Sequence, residues 1–328
     1  MRFLIAGAGA IGGYLGACMS RAGLDVTLYA RGPHLRAMQQ NGLRVLSAEG
    51  DFETRPRVIG DLADAGHRDV VILGVKAHGL TQLAPQLKPL IGDNTTVVST
   101  QNGIPWWYFQ VGAGEFAGFP LSRVDPGGVI GASIDPRRAV GALVYLGCEI
   151  VDPGVIRHTE GERISLGEPD GTRSERCRAI AEGLVRAGLR CPVTTRLRTE
   201  IWVKLLGNVA FNPISALTRA TLGQMTRDVD VGAIVSNIMA EAEAVANKLG
   251  VSLPISIAQR IAGAEKIGQH KTSMLQDLEA NRPTELEPVV GAVVELGEHL
   301  GIHMPHTRTV YACAKLLEAV NSARKTQP

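Results

Sequence analysis

Three polar side chains recur at intervals of four in an otherwise apolar stretch, TEIWVKLLGNVAFNPIS, residues 199–215. They are Lys204, Asn208 and Asn212. Because a helix turns by about 100° per residue, four steps return a side chain to nearly the same face. One face therefore carries an ammonium and two carboxamides, which suit an anionic substrate with a carbonyl group. Burial lowers the pKa of a lysine, so that it can protonate an oxygen on which negative charge develops.

A lysine can also extend along an apolar surface and hold its ammonium in water. The two asparagines argue against that alternative, because asparagine is a poor helix former and here occurs twice on the face of Lys204. We therefore favour a polar ligand in front of this face.

The glycine-rich turn GAGAIG is a second candidate site. It consists of Gly7, Ala8, Gly9, Ala10, Ile11 and Gly12. It follows a predicted strand at 2–6 and opens a helix that is predicted to end near Met19. In a dinucleotide-binding turn the first glycine permits the tight turn, the second admits the pyrophosphate, and the third lets the helix pack on the strand. The helix N-terminus would then hold the phosphates. The alternative is a tight turn without a ligand.

The end of the second predicted strand, DVTLYA at 25–30, distinguishes between the two nicotinamide cofactors. An NAD enzyme usually has an acidic residue there, which binds the ribose 2′-hydroxyl. This chain has Arg31 instead, and a guanidinium suits a 2′-phosphate by charge and geometry. The sequence thus favours NADP(H), the alternative being an exposed surface arginine. We expect His34 and Arg36 to lie on a solvated face.

The pattern of apolar runs predicts an α/β domain with a doubly wound, Rossmann-type sheet. The runs DVVILGV at 69–75 and TTVVST at 95–100 are typical of parallel strands that are covered on both faces. Between 140 and 167 we expect antiparallel hairpins with turns at Asp152-Pro153-Gly154 and at Glu160-Gly161. A helix at 174–188 and a last strand, LRCPVTT at 189–195, complete this domain.

After about residue 195 only helical patterns remain. They are predicted at 197–211, 228–249, 254–270, 273–280, 285–300 and 305–323, with Pro213, Pro254, Pro283 and Pro305 at or near their starts. The predicted organisation is thus a cofactor-binding domain at 1–195 and an all-helical substrate domain at 196–328. We expect the last residues, ARKTQP, to be frayed.

Composition excludes several classes of partner. The 328 residues carry 34 basic and 32 acidic side chains, mixed along the chain, so we expect neither a nucleic acid nor a membrane surface as a partner. The five cysteines are scattered, which favours reduced thiols in a cytoplasmic protein. The eight histidines lack HxH and HExxH spacing, and we expect no metal site. The long C-terminal helices allow a homodimer.

Polar residues also follow the predicted strands. Lys76 lies just past one strand, and Asn102 and Gly103 lie just past the next, at the edge where open α/β sheets bind ligands. Ser273, with Gln276 three residues later, predicts a capping box, and a helix start with a hydroxyl suits a carboxylate. Glu285 is explained equally well as an exposed acid of a first helical turn.

Taken together, these motifs resemble the ketopantoate reductases (2-dehydropantoate 2-reductases). The resemblance covers nearly the whole chain and rests, in order, on GAGAIG, Arg31, VKA, QNG, EIWVKLLGNVAFNP and SMLQDLEANRPTE. It implies NADPH-dependent reduction of ketopantoate to pantoate in pantothenate biosynthesis. It also implies a helical second domain like the C-terminal domain of 6-phosphogluconate dehydrogenase. The alternatives are a reductase of another 2-oxo acid and a non-catalytic NADP-binding protein.

The resemblance also implies roles for individual residues. Lys204 would be the proton donor, and Glu285 would lie at this lysine and at the nicotinamide ribose. Substrate would be bound by Asn208, Asn212 and Ser273, the last at its carboxylate. Asn102 would touch both cofactor and substrate, and Lys76 would lie on the cofactor side.

Two departures from the family pattern bear on the choice of substrate. About twenty extra residues follow QNG, with Trp106, Trp107, Tyr108 and Phe109 clustered among them. This insertion, at about 104–128, is predicted to be a lid, an oligomer contact or a wall that reshapes the substrate pocket. In addition, an asparagine that some members carry after the NP dipeptide has no match here. The segment ALTRATLGQM offers only Thr218 and Thr221.

Overall fold

A computed structural model describes residues 1–326 of the chain, which form two compact units. Unit 1 comprises residues 1–101, 106–118 and 127–197, and unit 2 comprises 102–105, 119–126 and the chain from 198 onward. The segments 102–105 and 119–126 therefore group with the C-terminal residues, although the sequence assigned them to the first domain. Of the segment expected to be frayed, residues 323–326 are helical, and Gln327 and Pro328 lie outside the described residues.

Unit 1 is built on a nine-stranded mixed sheet. Its strands are β1 (Phe3–Ala6), β2 (Val26–Tyr29), β3 (Leu43–Ser47), β4 (Phe52–Thr54), β5 (Arg57–Ile59), β6 (Val70–Leu73), β7 (Thr96–Ser99), β8 (Ala139–Asp152) and β9 (Val155–Gly167). Its helices are α1 (Ala10–Arg21), α2 (Gly32–Asn41), α3 (Ala77–Leu87), α4 (Val129–Ser133) and α5 (Glu175–Arg186). The strand order is β4-β3-β9-β8-β7-β6-β1-β2-β5.

The six strands β5, β2, β1, β6, β7 and β8 are mutually parallel and have the strand order of a dinucleotide-binding sheet. The predicted Rossmann-type fold is therefore confirmed. All residues of β1, β2, β6 and β7 are buried, as their continuous apolar runs predicted. The chain leaves β1 toward β2 and later returns to β6 on the other side. The carboxyl ends of β1 and β6 are thus the topological switch point, where such sheets bind ligands.

Two predictions in the second half of unit 1 are wrong. Strands β8 and β9 form a single hairpin around Pro153 and Gly154, and Gly161 lies inside β9 with φ +75° next to a break in register. The irregularity is a β-bulge rather than a second turn. The segment 189–195 forms no strand, because only Arg190 and Val193 make isolated parallel bridges to β9.

The long elements of unit 2 are all helical, as predicted. They are α6 (Leu197–Thr218), which starts at the last residue of unit 1, α7 (Leu222–Arg227), α8 (Val229–Lys248), α9 (Ile257–Ile267), α10 (Ser273–Glu279), α11 (Ala292–His299) and α12 (Pro305–Thr326). A π-helical turn, Glu287–Gly291, leads directly into α11. No helix within residues 1–326 is long and apolar enough to cross a membrane.

The sequence misplaced the end of α6 and missed α7. The helix was expected to end at residue 211, before Pro213, but α6 continues to Thr218. A proline removes one backbone hydrogen bond from a helix, and tertiary packing can offset that loss. Asn212 therefore stays on the same helix as Lys204 and Asn208. Helix α7 starts with a capping box between Thr221 and Gln224, which explains one of the threonines after the NP dipeptide.

Candidate active site

Three residues that the sequence singled out separately lie together in unit 2. The Lys204 ammonium donates a hydrogen bond to Asn102 Oδ1 at 2.9 Å. The amide nitrogen of Asn102 donates to Glu285 Oε2, also at 2.9 Å. Each contact pairs a donor with an acceptor, which fixes the orientation of the Asn102 carboxamide between the cation and the carboxylate. We refer to these three residues as the lysine triad.

Burial changes the acid–base properties of Lys204. The side chain is partly buried in α6, and this burial lowers the pKa of Lys204 to about 8, while the negative charge of Glu285 opposes the shift. Desolvation disfavours a charged ammonium, so its proton is released more easily than that of an exposed lysine. A general acid works best when its pKa lies near the working pH. Lys204 is therefore suited to proton transfer near neutral pH.

The same face of α6 carries two carboxamides beside the ammonium. Asn208 lies one turn after Lys204 and is half-buried, and Asn212 lies one turn further and is 6% exposed. The flanking Trp202, Leu205 and Leu206 are fully buried, so apolar packing fixes the rotation of the helix. The polar face thus has the composition that the sequence predicted.

Ser273 is exposed in the first turn of α10, and the predicted capping box at this residue is wrong. The residue that caps the helix is Thr272, whose side chain accepts a hydrogen bond from the Leu275 N–H at 3.3 Å. The Gln276 side chain donates instead to the Lys271 carbonyl oxygen. Because Thr272 caps the helix, the hydroxyl of Ser273 is not needed as a capping group.

Glu285 is held by a contact that sequence reasoning missed. The preceding residue, Thr284, donates to the Glu318 carboxylate of α12 through both its N–H and its hydroxyl. The hydroxyl oxygen of Thr284 also accepts from the Leu286 N–H at 3.2 Å. Glu285 itself is 8% exposed. These bonds fix the backbone on both sides of Glu285, and no local pattern in the sequence indicates them.

In unit 1, the glycine turn has the geometry of a phosphate-binding loop. Gly7 has φ +112°, and a Cβ atom there would lie 2.5 Å from Val75 Cγ1. A Cβ atom on Gly12 would lie 2.1 Å from the Gly7 carbonyl oxygen. A Cβ atom on Gly9 would meet nothing within 4 Å, and no side chain caps the start of α1 at this residue. An anion needs both room and N–H groups that no side chain caps. Both are present at Gly9, at the start of α1.

Gly74, which packs against this turn, is a residue that sequence reasoning missed. It follows β6, donates to the Ala6 carbonyl oxygen at 3.0 Å, and leaves no room for a side chain, since a Cβ atom would lie 2.3 Å from the Gly7 carbonyl oxygen. The glycine in the run ILGV, at the end of a predicted strand, could have indicated this close backbone contact. Lys76 lies two residues further, at the start of α3.

Arg31 is exposed and lies at the start of α2, shortly after β2. The turn and the end of β2 are joined by a hydrogen bond from the Ala8 N–H to the Tyr29 carbonyl oxygen, at 2.7 Å. Arg36 is also exposed, as predicted. The prediction for His34 is wrong: His34 is half-buried, and its Nδ1 accepts from the Gly154 N–H at 2.9 Å. Burial lowers the pKa of His34.

Comparison with known proteins decides the family. The profile "Ketopantoate reductase PanE/ApbA" matches residues 3–116, and "Ketopantoate reductase PanE/ApbA C terminal" matches residues 196–318. A 2-dehydropantoate 2-reductase of Mesorhizobium japonicum is 48% identical over 97% of this chain and 98% of its own length. The chain belongs to the ketopantoate reductase family.

Solved structures related to the family have the same fold. A candidate ketopantoate reductase of Ralstonia solanacearum MolK2 is 40% identical, with a TM-score of 0.91 over 96% of this chain and 97% of that one. A D-mandelate dehydrogenase, solved with NADH and anilino(oxo)acetate, has a TM-score of 0.84 over 98% of this chain and 100% of that one. At 20% identity the second likeness concerns the fold alone.

The insertion that distinguishes this chain from shorter family members is divided between the units. Trp106, Trp107, Tyr108 and Phe109 are buried in unit 1, where a Cβ atom on Gly141 would lie 2.7 Å from the Trp107 ring. These four aromatic side chains therefore pack in a core of unit 1, while the lid, the oligomer contact and the pocket wall stay predictions for the insertion. The large apolar area of aromatic side chains favours such burial.

The second part of the insertion, residues 119–126, is anchored within unit 2. The Glu295 carboxylate of α11 accepts hydrogen bonds from the Ser122 N–H, the Ser122 hydroxyl and the Arg123 N–H, at 2.6–2.9 Å. The Arg123 guanidinium also donates to Glu287 at 3.3 Å. Charge-assisted bonds of this kind are stronger than neutral ones and hold the segment on α11.

Proposed function

We propose that this protein reduces 2-dehydropantoate (ketopantoate) to pantoate with NADPH as the hydride donor. The observation that carries the proposal is the lysine triad, in which an ammonium with a lowered pKa meets Asn102 and Glu285. The extensive identity to a protein named 2-dehydropantoate 2-reductase supports the substrate. We propose the cytoplasm as its location, in keeping with the scattered cysteines.

For the cofactor, we propose that the glycine turn holds the pyrophosphate and that Arg31 binds the 2′-phosphate. The open space at Gly9 and the exposed guanidinium support this fit. We assign Lys76 to the cofactor side of the site, Glu285 to the nicotinamide ribose, and Asn102 to both cofactor and substrate. When bound, NADPH supplies a hydride from C4 of its nicotinamide.

For the substrate, we propose that Asn208, Asn212 and Ser273 bind and orient the 2-oxo acid, with Ser273 at its carboxylate. As the keto carbon is reduced, its oxygen takes up a proton from the Lys204 ammonium, and the product is the 2-hydroxy acid. Asn102 holds one N–H of the ammonium, and Glu285 stabilises its positive charge. Proton transfer by a positioned group of this kind contributes about 10²–10⁴-fold to a rate.

This role of Lys204 predicts a particular pH dependence. Only the protonated lysine can donate, so kcat/KM for ketopantoate reduction should be constant below a pH of about 8 and fall about tenfold per pH unit above it. Oxidation of pantoate needs the neutral amine, so its kcat/KM should rise about tenfold per pH unit up to a pH of about 8 and level off above it. Steady-state rates in both directions between pH 6 and 10 check this. A reduction rate that rises above pH 8 would contradict the assignment.

The function itself is tested by following NADPH consumption with ketopantoate, with NADH and a panel of aliphatic and aromatic 2-oxo acids in parallel. We expect NADPH-selective turnover, with ketopantoate the best substrate. If NADPH binds but another 2-oxo acid is reduced faster, the reaction class stands and the substrate assignment fails. If no 2-oxo acid is reduced, the chain is a cofactor-binding protein. Burial of the insertion's aromatic side chains favours ketopantoate over a bulkier acid, because those rings pack in a core.

A further inference from the structure

The π-helical turn before α11 makes an unusual backbone contact. In this turn the Ala292 N–H donates to the carbonyl oxygen of Glu287, five residues earlier. In an α-helix the same N–H would bond to Pro288, four residues earlier. The Pro288 carbonyl oxygen is thereby released from the helical pattern, and it accepts a hydrogen bond from the Ile104 N–H at 3.0 Å. Single π-helical turns of this kind occur frequently at functional sites.

Gly103 makes this contact sterically possible. Its φ is +86°, and a Cβ atom would lie 2.1 Å from the Pro288 carbonyl oxygen, 2.5 Å from the Pro288 carbonyl carbon and 2.9 Å from the Val289 nitrogen. All three neighbours are backbone atoms, which cannot rotate away. Any other residue at 103 must therefore move the chain away from the π-helical turn.

The contact lies next to the lysine triad on both chains that it joins. Asn102 directly precedes Gly103, and Glu285 precedes Pro288 by three residues. The Ile104–Pro288 bond thus sets the distance between the Asn102 backbone and the Glu285 backbone. With that distance fixed, the Asn102 carboxamide reaches Lys204 on one side and Glu285 on the other.

We propose that Gly103 and the released Pro288 carbonyl are a positioning device for proton donation: they hold Asn102 so that its Oδ1 orients the Lys204 ammonium. The inference rests on the proposed role of Lys204 and adds residues that touch neither substrate nor cofactor. Without the contact between Ile104 and Pro288, Asn102 moves away from Lys204. The ammonium then loses a hydrogen-bond acceptor that favours its charged form.

The test compares Gly103→Ala with Gly118→Ala. Gly118 has a similar φ of +79°, but a Cβ atom there meets nothing within 4 Å, so it reproduces the conformational strain without the steric clash. We expect Gly103→Ala to lower kcat by about 30-fold or more, to leave KM for NADPH within about twofold, and to lower the pKa of Lys204 by about one unit. Gly118→Ala should leave all three unchanged. If Gly103→Ala lowers the melting temperature as much as Gly118→Ala does, but leaves kcat and the pKa of Lys204 unchanged, the proposal is overturned.

A second variant removes the hydrogen bond without adding a side chain. Replacing residue 104 by its α-hydroxy acid turns the Ile104 N–H into an ester oxygen, which cannot donate to Pro288. We expect the same directions of change in kcat and in the pKa of Lys204. This variant decides the matter if Gly103→Ala does not fold. An unchanged kcat and an unchanged pKa in the ester variant would overturn the proposal.

The pKa of Lys204 is measured by NMR from the pH dependence of its ε-carbon shift, without substrate. This measurement separates the two hypotheses. If the wild-type protein does not reduce ketopantoate, the proposed function fails, and the pKa difference between the two glycine variants still decides the positioning role. If the wild-type protein is active but the pKa and kcat are the same in both variants, only the positioning role fails.

Discussion

Replacing Lys204 by alanine should lower kcat for ketopantoate reduction by about 1,000-fold and leave the Kd for NADPH within about twofold. The expected loss follows from the usual contribution of a positioned general acid, about 10²–10⁴-fold. The Kd should persist because the proposed contacts to the pyrophosphate and the 2′-phosphate come from the glycine turn and Arg31, and none of the proposed cofactor contacts is made by Lys204. Steady-state kinetics and fluorescence titration with NADPH measure the two quantities.

Two further variants define what Lys204 contributes. Lys204→Arg keeps a positive charge that can hydrogen-bond, but a guanidinium does not release its proton in this pH range. It should therefore lose most of the turnover as well. Lys266→Ala removes an exposed lysine of α9 and should have no effect. Near-normal turnover in Lys204→Arg would show that charge, rather than proton donation, is what the reaction needs.

Replacing Arg31 by alanine should raise KM for NADPH by about 10–100-fold and leave KM for NADH within about twofold. Charge-assisted hydrogen bonds contribute about 1.5–3 kcal/mol, and 1.4 kcal/mol corresponds to a factor of ten. NADH lacks the 2′-phosphate, so its binding does not depend on this guanidinium. The measurement is the ratio of kcat/KM values for the two cofactors at low salt, where screening is weakest.

The matched control for Arg31 is Arg186→Ala, which removes the same charge from an exposed position at the end of α5. It should leave the cofactor ratio unchanged. If both variants lower the ratio equally, the effect is one of net charge and Arg31 has no specific contact. If neither variant changes it, the 2′-phosphate is recognised elsewhere or the enzyme does not select NADPH.

The sequence predicted the features that depend on neighbouring residues and missed those that depend on residues far apart in the chain. The parallel strands and the polar face of α6 were predicted, because each depends on the periodicity of a short segment. The end of α6 was placed wrongly at residue 211, before Pro213, since packing along the whole helix outweighs one lost backbone bond. The burial of the aromatic cluster was not predicted for a similar reason: the composition of the insertion does not reveal whether a core is available to receive it.

The sequence by itself determined the glycine turn, the polar face of α6 and the order of the family motifs, because residue type and local spacing are enough to specify them. Only the tertiary structure decided how the lysine triad is assembled. Asn102 and Glu285 are 183 positions apart, and the π-helical turn that follows Glu285 has no local pattern in the sequence. The pKa of Lys204 likewise depends on burial and on Glu285. Desolvation and charge act through space, so a group's chemistry depends on neighbours that are remote in the chain.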